Sequence, residues 1–328
     1  MTVLVTGGAG YIGSHMVLSL LDAGEKVVVI DNLSSGFRWA VAPDASFVQG
    51  DISDTELVDW VIASYQVDAV IHFAARVVVP ESVENPLFYY MENTVKTRTL
   101  LERIVMAGVP HLIFSSTAAV YGMVNMEPVA EDAQLAPISP YGRSKLMSEW
   151  MLQDTSRAST LRHVVLRYFN VAGSDPAGRA GQSTANATHL IKVACELATG
   201  QRTSLQVYGT DYPTPDGTCI RDYIHVSDLV NAHLCALRHL RAGGENDLFN
   251  CGYGRGYSVL EVLNTVENIS GQAFQVEYAP RRPGDPASII AKADRIRAIL
   301  GWSPRYEDLR TIVSHALAWE HRLLSDRK

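Results

Sequence analysis

Short apolar runs alternate with longer mixed segments through the first two-thirds of the chain. The runs are Thr2–Val5, Lys26–Ile30, Ser46–Gln49, Ala69–Phe73, His111–Ser115 and His163–Phe169. They are continuously apolar instead of alternating, as expected of strands covered on both faces. The stretches between them carry helical patterns, most clearly over 93–108 and 141–157. Strand–helix alternation of this kind predicts a parallel, doubly wound α/β sheet. After Asn170 the character changes. "VAGSDPAGRAGQSTANA" and "YGTDYPTPDGT" read as loops, and "RRPGDPAS" as a turn before short C-terminal helices. "SDLVNAHLCALRHL" predicts a helix capped by Ser227, and a strand is expected near Asp247–Asn250. The pattern divides the chain into a first domain over 1–170, rejoined by about 226–250, and a smaller lobe made of 171–225 and 251–328. That lobe is expected to cover the ligand cleft of the first domain.

The first apolar run leads directly into "VTGGAGYIGSH", Val5 to His15. Gly8, Gly10 and Gly13 fit G-x-G-x-x-G, while Gly7, Gly10 and Gly13 fit G-x-x-G-x-x-G. On either spacing a helix begins near Tyr11–Gly13, and its first N–H groups suit a pyrophosphate. Taken alone, the glycines also fit a tight strand–helix turn that binds nothing. The next apolar run, "KVVVID", ends in Asp31, 18 residues after Gly13. An acid about 20 residues beyond the glycines is placed for the ribose 2′-hydroxyl of a dinucleotide. Asp31 would repel a 2′-phosphate, so NAD is favoured over NADP, although Arg38 lies nearby. The reading is a Rossmann-like fold that holds NAD.

Composition changes this picture little. Of 328 residues, 47% are hydrophobic and 19% charged, ordinary values for a globular protein with a sizeable core. The net charge is −7 with no basic run, so no nucleic-acid partner is expected. No apolar stretch reaches the ~18 residues of a membrane span, and the first strand begins at once, so neither membrane nor signal peptide is expected. Cys195, Cys219, Cys235 and Cys251 show no metal spacing and read as reduced thiols of a cytoplasmic protein.

Candidate chemistry centres on "YGRSK". Tyr141 and Lys145 are four apart and share a helix face. A phenol of ordinary pKa about 10 is favoured as phenolate beside an ammonium, and more so beside a nicotinamide cation. It can then act as a general base or acid. Upstream, "FSSTAAVYG" carries an apolar strand into Ser115, Ser116 and Thr117. Hydroxyls at the carboxyl end of such a strand can reach a ligand, or simply close the strand.

TGGAGYIG, the terminal Asp31, SSTAAVYG and YGRSK together resemble the extended short-chain dehydrogenase/reductase family, in its NAD-dependent epimerase/dehydratase branch. "HFAARVVVPESVENPLFYY", "LRYFNVAG", "YGTDYPTPDGTCIRDYIHVSDL" and "APRRPGD" narrow the likeness, in the same order, to members that invert C4 of UDP-hexoses. The resemblance implies that Tyr141 is the catalytic base, that Lys145 assists it and holds the nicotinamide ribose, and that Thr117 bridges to the substrate. It places Gly7, Gly10, Tyr11, Ile12 and Gly13 at the pyrophosphate, and Asp31 and Asn32 at the adenosine ribose. It places Asp51 and Ile52 at the adenine, and Phe73, Ala74, Ala75 and Asn93 along the cofactor. Phe169 and Asn170 fall at the nicotinamide and sugar. Arg221, Arg282 and Asp285 match UDP-binding positions, with Gln206, Tyr208, His189 and Leu190 facing the uracil. Ile289, four residues after Asp285, flanks the sugar. Val77 replaces a lysine usual in this branch, with Arg76 before it, and Pro80 replaces a glycine.

The implied reaction is the interconversion of UDP-glucose and UDP-galactose. Tyr141 takes the 4-hydroxyl proton, hydride passes from C4 to tightly bound NAD, and it returns to the opposite face of the turned keto sugar. A homodimer is also implied. Two other readings are a 4-epimerase of other UDP-sugars, such as UDP-xylose or N-acetylhexosamines, and a non-catalytic NAD sensor. The sensor would have no use for Tyr141 and Lys145. A dehydratase would want acids beside Thr117, where Ala118 and Ala119 stand.

Overall fold

A computed structural model describes residues 1–124, 128–185, 187–282 and 284–325. Asn186 and Pro283, in one predicted loop and the predicted turn, lie outside them. The first part of the chain runs β1 (Thr2–Thr6), α1 (Tyr11–Asp22), β2 (Lys26–Asp31), β3 (Ser46–Gln49), α2 (Thr55–Tyr65) and β4 (Val67–His72). It continues through α3 (Val79–Glu84), α4 (Pro86–Tyr89), a π-helical turn over Tyr90–Val95, α5 (Lys96–Met106), β5 (His111–Thr117), α6 (Pro140–Ala158) and β6 (Arg162–Tyr168). Then come β7 (Asn170–Ala172), α7 (Leu190–Ala198), β8 (Leu205–Tyr208), β9 (Ile220–His225), α8 (Val226–Arg241), β10 (Asp247–Cys251) and β11 (Gly256–Ser258). The chain closes with α9 (Val259–Ser270), β12 (Val276–Ala279), β13 (Ser288–Ile289), α10 (Asp294–Leu300) and α11 (Leu309–Ser325).

Seven parallel strands form one sheet in the order β10-β6-β5-β4-β1-β2-β3. It is the Rossmann-like α/β fold expected. Strand order reverses between β1 and β4, which opens a crevice at their carboxyl ends, the usual ligand site of such sheets. Each face of the sheet has its own core. Val3, Val5 and Ile113 pack with α1 and α8, and Leu4, Leu112 and Phe114 with α2 and α5. Burying one such side chain is worth about 1.5–3 kcal/mol. Strands without a solvated face therefore tolerate few polar side chains, and those near the crevice are all partnered.

The remaining strands build smaller sheets. β9 is central to one, with β11 and β13 on its flanks and β7 also paired to it, and β8 pairs β12. Around them α7, α9 and α11 share a third apolar cluster. β10, from late in the sequence, is the edge strand of the large sheet, and α8 packs on α1.

Local details depart from the sequence pattern in three places. β5 extends through Ser116 and Thr117, because these pair in register with Arg167 and Tyr168. The cap of α8 is His225, not Ser227: the His225 ring accepts from Ser227 N at 3.0 Å. The helix expected over 93–108 is preceded by the π turn, which carries Asn93 inward to clamp Arg76 N and O at 2.8 and 2.9 Å.

Candidate functional site

The glycine loop joins β1 to α1 at the crevice. Gly7 has φ +72°, and a Cβ there would sit 2.7 Å from Ala74 N; a Cβ on Gly13 would sit 2.1 Å from Gly7 O. The chain thus needs glycine at both positions, for a left-handed turn and for close helix–strand approach. α1 begins at Gly10 without a side-chain cap, so its first N–H groups at Tyr11, Ile12 and Gly13 are left to an outside acceptor. Beside the loop, buried Asp31 ends β2 and accepts from Ala9 N at 2.9 Å and Leu33 N at 2.8 Å. A carboxylate has about four acceptor positions, so room remains for two ribose hydroxyls. Asn32 donates to Asp51 at 2.9 Å. Burial pushes the Asp51 carboxyl up, but hydrogen bonds from Lys96, Ser53 and Asn32 outweigh it and hold the pKa at about 2. Ile52 is buried next to it, and Phe73, Ala74 and Ala75 leave β4 where Phe73 N donates to Thr6 O at 3.0 Å.

The three hydroxyls that end β5 go three ways. Ser115 Oγ lies 2.9 Å from His233 Nε2 on α8. Ser116 Oγ donates to Glu149 of α6, a carboxylate that also takes Arg167 at 2.6 Å. Thr117 Oγ1 accepts from Ala119 N at 3.1 Å and lies beside the Tyr141 phenol. Only Thr117 therefore couples to the candidate base. Lys145 Nζ donates to the carbonyl of Ser115 at 3.0 Å and lies 4.9 Å over the Phe114 ring. Burial lowers Lys145 to about 8, opposed by the charge of Glu149. Burial raises the Tyr141 phenol, and the neighbouring Thr117 hydroxyl lowers it by less. This corrects the expectation that Lys145 depresses the Tyr141 pKa: the ammonium is aimed at the Ser115 carbonyl, and burial is the largest influence on the phenol.

The other residues singled out form three groups. Asn170, His189 and Leu190 line one hollow with Tyr223 and Trp319, and Gln182 bonds the His189 ring at 2.9 Å. The Arg282 guanidinium lies 3.8 Å over the Tyr208 ring, whose hydroxyl donates to Gln206 at 2.6 Å. Arg221 donates to Ile220 O and Pro286 O, both at 2.9 Å, and its other end lies 3.6 Å from Asp285. Ile289 is the register partner of Arg221 on β13, and Phe169 is buried between β6 and β7.

The sequence pattern that defines the NAD-dependent epimerase/dehydratase family matches residues 3–252. The chain belongs to this family. It is 58% identical to the UDP-glucose 4-epimerase of Azospirillum brasilense, over 98% of this chain and 92% of that one. Among solved structures, it superposes on the UDP-glucose 4-epimerase of Brucella ovis in complex with NAD with a TM-score of 0.94, at 44% identity over 97% of both chains. The Bifidobacterium longum enzyme in complex with NAD+ and UDP gives a TM-score of 0.93, at 36% identity over 98% of both.

Membership in the NAD-dependent epimerase/dehydratase family makes NAD the cofactor, and the residues present fit it: the Cβ-excluding loop, the uncapped helix and the half-used Asp31 carboxylate suit a dinucleotide. Val77, which replaces the lysine usual in the branch, is exposed, and Arg76 rests 5.2 Å over Phe88. Sequence reasoning missed His233, Tyr168, Glu149 and Arg167. Each is separated in sequence from the motif it supports or lies in a stretch that reads as ordinary helix or strand, so no short spacing signals it.

Proposed function

We propose that the chain interconverts UDP-glucose and UDP-galactose by transient oxidation at C4. The Thr117–Tyr141 pair, with Lys145 anchored to the Ser115 carbonyl one strand from the switch point of an NAD-binding sheet, carries this reading. When bound, NAD supplies a hydride acceptor that gives the hydride back, and its positive ring favours the Tyr141 phenolate that burial disfavours. Tyr141 takes the proton of the sugar 4-hydroxyl and later returns it. Thr117 holds the same oxygen in line. Lys145, held on the Ser115 carbonyl, fixes the nicotinamide ribose. Arg221, Arg282 and Asp285 retain the UDP while the sugar turns, guanidinium being suited to phosphate oxygens.

A dehydratase would need a carboxylic acid beside Thr117. Ala118 and Ala119 follow it, and Glu149 is on the Ser116 side, tied to Arg167. The deciding experiment gives the purified protein UDP-galactose without added NAD. UDP-glucose as the product is expected; a dehydrated keto sugar, or no turnover despite bound NAD, would overturn the reading.

We propose in addition a cytoplasmic homodimer. Leu87, Met91 and Val95 recur at helical spacing and are exposed, as are Met147 and Trp150 of α6, which packs against the π turn. A stripe of this kind on a globular protein suits a partner. The four cysteines are free, in keeping with a reducing compartment, and no helix among the described residues is long and apolar enough to cross a membrane.

A further inference from the structure

His233 sits on the inward face of α8 and is completely buried. Its Nδ1 lies 2.9 Å from Leu229 O, one turn back, and its Nε2 lies 2.9 Å from Ser115 Oγ. A carbonyl can only accept, so Nδ1 carries the proton and Nε2 offers its lone pair. Ser115 must then donate to His233. Burial drives the imidazole pKa down to about 4, against the pull of the Leu229 carbonyl, so the ring stays neutral at ordinary pH. The Tyr168 ring packs against the same imidazole, with centroids 6.4 Å apart. The directions are thus fixed along a chain from Ser115 to His233 to Leu229.

The Ser115 end of this chain bears on the hydride-transfer site. The same Ser115 presents its carbonyl to Lys145 Nζ at 3.0 Å. Tyr168 is the register partner of Thr117 across β5 and β6. The His233 ring also packs 4.9 Å from Phe73, which leaves β4 at the crevice. One imidazole thereby touches the ends of three adjacent strands that carry the site. A buried apolar side chain at 233 would fill the same space, and stability alone gives little reason for a polar one, since a satisfied hydrogen bond nets only about 1 kcal/mol.

We infer that His233 is a positioning residue for hydride transfer, acting through Ser115 to fix the carbonyl that seats Lys145 and packing against the Tyr168 ring. The inference rests on the reading that Tyr141 and Lys145 carry the chemistry. Small displacements of catalytic groups are costly: a shift of ~1 Å can remove ~10²-fold of rate.

The test compares His233→Leu, His233→Gln, Ser115→Ala and the double variant His233→Leu/Ser115→Ala in the full chain with its NAD. In His233→Leu, kcat with UDP-galactose is expected to fall ~10- to 100-fold while KM stays within about twofold and NAD content is kept. Glutamine can accept from Ser115 and donate to Leu229 O, so His233→Gln is expected to recover kcat to within roughly threefold of the parent. Losses in the double variant should be far from additive, because both changes cut one chain of bonds. Should His233→Leu fail to fold, Ser115→Ala and His233→Gln still decide: the first must lose kcat and the second must keep it. The inference is overturned if kcat survives in His233→Leu or Ser115→Ala, if glutamine is no better than leucine, or if the losses add. Tyr141→Phe, run alongside, separates the two levels. If that variant turns over normally, the reading of the site falls; if it is inactive while His233→Leu is not, only the positioning role falls.

Discussion

The floor of the crevice and the candidate UDP end of the site are built differently. At the floor, three consecutive hydroxyls of β5 have three separate partners on two helices, and Lys145, Glu149, Arg167 and His233 are all buried. At the other end the strands are short, Arg282 is exposed over Tyr208, and Arg221 donates to backbone carbonyls while its second nitrogen stays 3.6 Å from Asp285. Transfer of a hydride and a proton needs atoms held to a fraction of an ångström. Holding a diphosphate needs charge within reach, and a sugar that turns over needs latitude. On the proposed roles, the contrast gives rigidity to the chemistry and adaptability to the anchor.

Changes on the rigid side should act on kcat. Tyr141→Phe is expected to lower turnover by ~10²–10⁴ with NAD retained, since general acid–base catalysis is worth that much; near-normal turnover would remove the phenol from the mechanism. Lys145→Met should slow the enzyme to a lesser degree and raise its melting temperature at pH 7. The Lys145 pKa is lowered to about 8 from 10.5, so burial of its charge costs stability fully below about pH 8. Because the unfolded chain still binds this proton between about 8 and 10.5, the cost is relieved as pH rises through that window. The stability gap between variant and parent should therefore narrow from pH 7 to pH 10 in paired melts, and a gap independent of pH would contradict the assignment.

Changes on the adaptable side should act on KM. Arg282→Ala is expected to raise KM for UDP-galactose ~10-fold with kcat little changed, the worth of one charge-assisted hydrogen bond. An equal fall in kcat would mean that this arm is as rigid as the floor. The smallest effect is expected at Ile289, a stiff β-branched side chain at the proposed sugar pocket. Ile289→Gly should raise activity on UDP-N-acetylglucosamine relative to UDP-glucose by roughly threefold, modest because the buried strand also loses packing. Parallel losses on both sugars would show that Ile289 serves only the core, where it is buried.

The same division governed what could be read from sequence. The glycine loop and Asp31 are legible because local backbone geometry and one charge dictate them at short spacing. Tyr141 and Lys145 are legible because helical periodicity alone places them on one face. The three hydroxyls of β5 were visible as a group, but their fates were not: Ser115 looks to a histidine 118 positions away, and Ser116 to a carboxylate 33 positions away. Neither separation leaves a periodic trace. The π turn at 90–95 also has no pattern of its own, since a single widened turn barely disturbs helical spacing. At α8, Ser227 had the right chemistry for a cap, yet the His225 ring reached the free N–H first.

β13 is only two residues long, and it pairs in parallel with β9 so that Ser288 meets Ile220 and Ile289 meets Arg221. This short ladder works as a ruler between the proposed phosphate anchor and the proposed sugar gate. Successive strand residues face opposite ways, so inserting one residue between Asp285 and Ser288 would turn Ile289 away and present Ser288 in its place. On the proposed role of Ile289, sugar choice would depend on the length of a connection as much as on the identity of one side chain. A lineage could change its substrate by slipping a single step, with every binding residue still present.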